Sequence, residues 1–262
     1  MRLLLLLMIN SLMLVLCSQA QEKRKSILAI FPHSDDETAV GEVLSKYSKQ
    51  HNVYIIYIVD DIDTSGLTVT TEGDTINHKK IAEAKCSCKK LGAGPIFLGM
   101  GRLAPDFRKG PRGYFQKIKK LKAVLTEKIQ SINPDVIITF GPDGESGHFE
   151  HRITSSMVTE LILYNGWVDR YPLYFMGWPK EENPPEQLSG TGEVDEKYLS
   201  VAIHFSNEDE ATAFESLKCY QNQFSPKDIQ ERKDEMDADK ANIFYFRQFV
   251  VSGKIKKDLF DK

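Results

Sequence analysis

Seven residues near the start of the chain, Phe31-Pro32-His33-Ser34-Asp35-Asp36-Glu37, constrain it more than any other stretch. The apolar run Ile27-Leu28-Ala29-Ile30 precedes them and is short enough for a buried strand. Residues 38–47 follow with apolar positions at helical spacing. One imidazole and three carboxylates therefore sit in a strand-to-helix turn. That turn lies at the carboxyl edge of the first strand, where open α/β sheets place their ligands. An imidazole and one carboxylate suit a metal ion, and a second carboxylate is left to act as a base. Helix capping accounts for one acid in such a turn. It does not account for a histidine with three acids in five residues.

The rest of the chain alternates strand and helix. Residues 52–59 read as a second strand, 75–91 as a helix stopped by Gly92 and Gly94-Pro95, and 96–98 as a short strand. Residues 114–132 read as a helix, 136–140 as a strand and 150–164 as a helix. This order predicts an α/β fold with a Rossmann-like, mostly parallel sheet and helices on both faces. After Gly166 the texture changes to a polar loop over 178–192, strands at 198–205 and 244–251, and a helix at about 208–221. These read as a C-terminal extension of the same sheet, giving one domain over 21–262. Four long loops are expected on the carboxyl side, at 60–74, 99–113, 141–147 and 177–195, as walls of a substrate pocket. Arg102, Arg108, Arg112, Tyr114 and Trp178 lie in or beside them and suit sugar stacking and hydroxyl recognition, though all are ordinary surface residues too.

A second cluster, Gly141-Pro142-Asp143-Gly144-Glu145-Ser146-Gly147-His148-Phe149-Glu150-His151, follows the 136–140 strand. His148 and His151 are three apart, so at a helix start they share a face. Alone, they would read as two solvent-facing histidines. On a parallel sheet that also carries His33 and Asp36, they read as part of one site.

Pro-His-Ser-Asp-Asp-Glu resembles the Pro-His-Pro-Asp-Asp-Glu signature of the LmbE-like (PIG-L) zinc-dependent N-acetylglucosaminyl deacetylases, with Ser34 in place of the second proline. Gly147-His148-Phe149-Glu150-His151 is similar to the family's later Gly-His-x-x-His. The resemblance implies a zinc site, with iron(II) as the alternative, on His33, Asp36 and His151. It implies Asp35 as general base, His148 as partner of the tetrahedral oxyanion, and Glu150 as the residue that orients His148. The activity implied is hydrolytic removal of the N-acetyl group from an N-acetylglucosamine-type sugar or glycoconjugate. Alternatives are the same chemistry on a non-sugar amide, or a non-catalytic sugar-binding protein. A protein of the last kind would be expected to have lost Asp35 or a ligand, and none is missing. A nucleotide-sugar transferase lacks support, because Gly99-Met100-Gly101 is not a phosphate-binding loop. Departures from the family pattern fall on the substrate side: Ser146 for a tyrosine, Lys80 for an arginine, and Asp60-Asp61-Ile62-Asp63-Thr64-Ser65-Gly66 for a Thr-x-Gly-Glu type of loop. Tyr220-Gln221-Asn222-Gln223 falls where a His-x-Ser-Gln is common.

The first twenty residues carry the features of an export signal: Arg2, an apolar run from Leu3 to Leu16 broken by Asn10 and Ser11, then Ser18-Gln19-Ala20 as a cleavage site. The run is shorter than the ~20 residues of a spanning helix, so a retained anchor is not expected. Lipidation at Cys17 fits poorly after the bulky Leu16. The expected location is periplasmic or secreted. Removing a segment with one base and no acid takes the net charge from −3 to −4. A mildly acidic chain without a basic tract does not suggest a nucleic-acid partner; a small N-acetylated amino sugar is the expected one. Nothing in the sequence sets an oligomeric state. Cys86, Cys88 and Cys219 then remain, compatible with one disulfide at most, and Cys86 and Cys88 point to different helix faces. The simplest reading makes all three buried small apolar side chains. Export predicts that the full-length chain yields a protein beginning at Gln21, which N-terminal sequencing reads directly; soluble protein still carrying Met1 would contradict it.

Overall fold

The computed structural model describes residues 24–59, 71–103, 110–180, 192–251, 253 and 258, with the side chains of all of these except 71–78 and 110. The export segment and Arg108 lie outside the described residues. At the centre is β1 (Ser26–Phe31), paired in parallel with β2 (Asn52–Tyr57) on one side and β4 (Val136–Thr139) on the other. Outward from β2 comes β3 (Ala93–Phe97), and outward from β4 comes β5 (Leu173–Pro179), both parallel. Two antiparallel strands extend the sheet beyond β5: β8 (Ile243–Gln248), then β7 (Val201–His204). The two-residue β6 (Glu193–Val194) pairs with the end of β5. The order β3-β2-β1-β4-β5-β8-β7 is the Rossmann-like sheet with a C-terminal extension that the alternation predicts. Successive crossovers leave β1 toward β2 and β4 toward β5, in opposite directions. The crevice between the carboxyl ends of β1 and β4 is thus the switch point where such sheets bind ligands.

Both faces of β1 are covered, which explains its uninterrupted apolar sequence. Leu28 and Ile30 pack with Leu121, Leu125 and Ile129 of α3 (Gly110–Ile132) and with Met157, Val158, Leu161 and Ile162 of α4 (Phe149–Tyr164). Ile27, Ala29 and Phe31 face the other layer, with Val43 and Leu44 of α1 (Gly41–Ser48) and Ala84, Cys88 and Leu91 of α2 (Thr71–Leu91). The helix expected from residue 38 begins only at Gly41, after a 3-10 turn over Asp36–Val40. Gly41 is where α1 meets α5 (Asn207–Leu217): a Cβ there would lie 3.0 Å from that of Ala213.

Several boundaries and three whole elements differ from expectation, the two-residue β6 among them. Residues 71–74 and 110–113, read as loop, begin α2 and α3. Gly177–Pro179, also read as loop, completes β5, a strand not anticipated at all. α6 (Pro226–Ala238) was likewise unforeseen, because it buries no residue and so carries no apolar period. No described helix is long and apolar enough to cross a membrane.

The cysteines correct the reading made of them. Cys86 and Cys219 form a disulfide with Cα atoms 5.8 Å apart, tying α2 to the end of α5, while Cys88 alone is the buried free thiol. Cys86 turns outward from α2 and Cys88 inward, as their spacing requires. The partner of Cys86 lies 133 residues away, out of reach of any local pattern. Non-reduced protein beginning at Gln21 should therefore titrate one thiol after unfolding in guanidinium, and three after reduction. Three thiols without reductant would disprove the bridge.

Candidate metal centre

Two loops build the centre, one leaving β1 and one leaving β4. Because these strands are adjacent and parallel, their ends deliver His33, Asp35 and Asp36 beside His148 and His151. Asp36 is the joint. Its Oδ2 accepts the backbone N–H of His33 at 2.8 Å and lies 3.6 Å from His33 Nδ1. Its Oδ1 lies 3.2 Å from His151 Nε2. Burial pushes the Asp36 carboxyl up, but the two histidines outweigh that and hold it low.

Each histidine is oriented from behind. The His151 Nδ1 faces the Gly144 carbonyl oxygen at 3.0 Å, so it carries the proton and leaves Nε2 for another partner. The ring also stacks flat on Phe140, with centroids 4.0 Å apart. Glu150 bonds His33 Nε2 at 2.7 Å and accepts the Leu103 N–H at 2.6 Å, leaving His33 Nδ1 toward Asp36. This corrects the expectation for Glu150, whose carboxylate orients His33 rather than His148. Its backbone N–H does reach His148, donating to Nδ1 at 3.3 Å. Burial and the neighbouring His33 and His151 push His148 down. A neutral ring that accepts at Nδ1 presents its other nitrogen as an N–H donor.

Asp35 is held in a conformation that aspartate seldom adopts, φ 110° and ψ −25°. Such backbone costs roughly 1–3 kcal/mol and persists only where the surroundings enforce it. Here the Asp35 N–H donates to Glu37 Oε2 at 3.1 Å. Its carbonyl accepts from the Thr38 N–H at 2.9 Å and hydroxyl at 2.7 Å. Burial first, then the Asp36 and Glu37 carboxylates, push Asp35 up to about 8, against the pull of His33 and Lys80.

All five residues singled out in the sequence are thus drawn to one place. One ring nitrogen from each of His33, His148 and His151 lies within 4.8 Å of the others. The donor set fits a divalent cation: Asp36 lies between one ring nitrogen of His33 and one of His151, and the opposite nitrogen of each ring meets an oxygen acceptor. Metal-binding histidines are commonly oriented that way. Among the described residues, Arg102 receives the Lys117 ammonium on its carbonyl, Tyr114 packs against Phe115 and Trp178 against Phe244, and none of these contacts, nor any of Arg112, reaches the centre. Sequence reasoning missed Tyr220, Ser87 and Gln223, which meet the loop carrying Asp35. The departure at 220–223 was the one signal for Tyr220 and Gln223, and nothing local marked Ser87.

The model of the PIG-L family, described as GlcNAc-PI de-N-acetylase, matches residues 28–162, which contain both loops. The chain belongs to the PIG-L family. Among its relatives is the 1D-myo-inositol 2-acetamido-2-deoxy-alpha-D-glucopyranoside deacetylase of Corynebacterium jeikeium, 25% identical over 182 residues, covering 55% of this chain and 52% of that one. The chain spans about half the length of the first such relatives it matches. In fold it is similar to the N,N'-diacetylchitobiose deacetylase of Pyrococcus horikoshii (TM-score 0.60, 14% identity, 88% of this chain and 86% of that one). It is similar also to a 4-carboxy-2-hydroxymuconate hydratase from Pseudomonas putida (TM-score 0.57, 13% identity, 90% and 99%). The fold therefore hosts more than one reaction, and the chemistry has to be argued from the site.

Without a cation, Asp36 and Glu150 outweigh the burial of His33 and hold its pKa up to about 10. A cation must displace that proton. Apparent metal affinity should therefore climb between pH 6 and 8, by up to about tenfold per pH unit for one proton released. Competition with a chelator of known affinity measures it, and a flat profile would remove His33 from the ligands. His33→Ala and His151→Ala should each lose the metal and keep the fold.

Proposed function

We propose that this PIG-L protein is an exported hydrolase that removes the acetyl group from an N-acetylglucosamine-type amino sugar, using zinc or iron(II) held by His33, Asp36 and His151. The observation that carries the reading is the Asp36 carboxylate set between His33 and His151, with Asp35 next in the chain and His148 alongside. A divalent cation there supplies Lewis-acid polarisation of the acyl oxygen and makes a water acidic enough to act near neutral pH.

The chain's own groups do the rest. Asp35 accepts the proton of the attacking water on its carboxylate. The free N–H of His148 donates to the oxygen that gains charge as the carbonyl becomes tetrahedral. When the C–N bond breaks, the proton held by Asp35 passes to the departing nitrogen, and the acetic acid formed releases its own proton to solvent, giving acetate and the free amine. Glu150 keeps His33 from rotating, and Gly144 and Phe140 do the same for His151. The family's named relatives and the chitobiose deacetylase, which act on acetamido sugars by their names, support this substrate class. The Cys86–Cys219 bridge supports export, since stable disulfides belong to oxidising compartments.

Substitution separates the roles. Asp35→Asn should keep its metal and lose roughly 10²–10⁴-fold in kcat, the usual worth of a general base. His148→Ala should keep metal and lose roughly 10²–10³-fold, as for one oxyanion donor. Asp36→Asn should instead bind metal weakly. Acetate release from N-acetylglucosamine, diacetylchitobiose and N-acetylglucosaminyl-inositol, read beside metal content, checks all three. A fully metallated Asp35→Asn protein with near-normal kcat would end this assignment of the base.

A further inference from the structure

The segment after α5 lies outside the span matched by the family, yet it touches the loop that carries Asp35 at two points. Tyr220 is fully buried and its hydroxyl donates to Glu37 Oε1. Gln223 Nε2 donates to the Ser34 carbonyl at 3.3 Å. Glu37 is itself fully buried, and the groups bonded to it are neutral, among them the Tyr220 hydroxyl, the Ser87 hydroxyl at 2.5 Å, the Tyr57 hydroxyl and the Asp35 N–H. One carboxylate thus joins the segment to the backbone of Asp35, with Tyr220 on one oxygen and Asp35 on the other.

The same segment is fastened to α2 on its far side. Cys219 is bridged to Cys86, and the backbone and side-chain N–H groups of Asn222 both donate to Glu83 Oε1, at 2.7 and 2.6 Å. Ser87, another hydroxyl on Glu37, is the residue after Cys86. The disulfide therefore brackets the network: each of its cysteines immediately precedes a hydroxyl that holds Glu37, the Tyr57 hydroxyl of β2 being a third. An Asp35 backbone in the left-handed region needs such restraint, because nothing in its own preference keeps it there.

We propose that Tyr220 is a positioning residue for Asp35, acting through Glu37, and that the Cys86–Cys219 bridge keeps Tyr220 and Ser87 in register for it. This rests on Asp35 being the base of the proposed hydrolase. Tyr220 touches neither substrate nor metal in this role; it sets the direction of the Asp35 backbone. A small misplacement of a catalytic group, about 1 Å, costs on the order of a hundredfold in rate, so partial loosening should be visible.

Two variants test it, Tyr220→Phe and the double Cys86→Ser/Cys219→Ser, each beside metal-loaded wild type. In both, kcat should fall by about tenfold or more, with KM and metal content within about twofold, the pattern of a lost transition-state interaction. The triple variant should be little worse than the worse of its parents, because both changes act along one route. Independently of turnover, exchange of the Asp35 amide hydrogen, read by NMR, should accelerate in both variants. A merely structural role would lower the melting temperature and leave kcat and this exchange alone, and that result would overturn the proposal. If wild type hydrolyses no acetamido sugar, the functional reading fails, and the Asp35 exchange rate alone decides whether Tyr220 positions the loop.

Discussion

The shared carboxylate of Asp36 is the constraint on which the site depends. An acid buried this deeply is tolerated only when hydrogen bonds and opposite charge replace its water. Asp36 draws these from two loops at once: a backbone N–H and ring from the β1 loop, and a ring from the start of α4. The loops can meet only because β1 and β4 are neighbours running the same way. Sheet order, both motifs and the buried acid thus form one requirement. Moving β4 by one place in the sheet would leave Asp36 without His151.

The centre of the fold was legible because several signals agreed there. β1, β2 and β4 are apolar runs of strand length, bounded by loops whose residue types announce chemistry. Legibility faded where single signals stood alone. β5, Leu173-Tyr174-Phe175-Met176-Gly177-Trp178-Pro179, carries three strand-favouring aromatics, but it has no β-branched residue and is broken by a glycine and closed by a proline, so its signals disagreed. α6 is polar all round, but its start was written in the chain: Ser225 and Asp228 cap each other and Pro226 occupies the first turn.

In the site, the residues that hold ligands were legible and those that orient them were not. His33, Asp36, His148 and His151 come in short motifs with recognisable spacing. Glu150 sits two places from His148, and the family resemblance implied that pairing. Its carboxylate instead crosses to His33, 117 residues away, because side chains at i and i+2 of a helix start point apart. Tyr220 and Glu37, 183 residues apart, meet for the same kind of reason: only the finished sheet brings the end of α5 over the β1 loop.

The charges of the centre argue for a cation more strongly than its shape does. Asp36 and Glu150 meet the imidazoles directly, with the Asp35 and Glu37 carboxyls next to Asp36 in the chain. Without added positive charge, Asp35 is pushed up to about 8 and His33 up to about 10. Near neutral pH both would then hold a proton. A protonated Asp35 cannot accept one from water, and a protonated His33 cannot bind a metal. A divalent charge beside Asp36 reverses both, lowering the carboxyl's pKa and competing for the imidazole nitrogen. Glu37 sharpens the point, since it adds a buried carboxylate whose bonded partners are hydroxyls and an amide rather than a base. Part of the charge that raises Asp35 therefore comes from the residue that also holds its backbone, so positioning the base and tuning its affinity for a proton are properties of one contact.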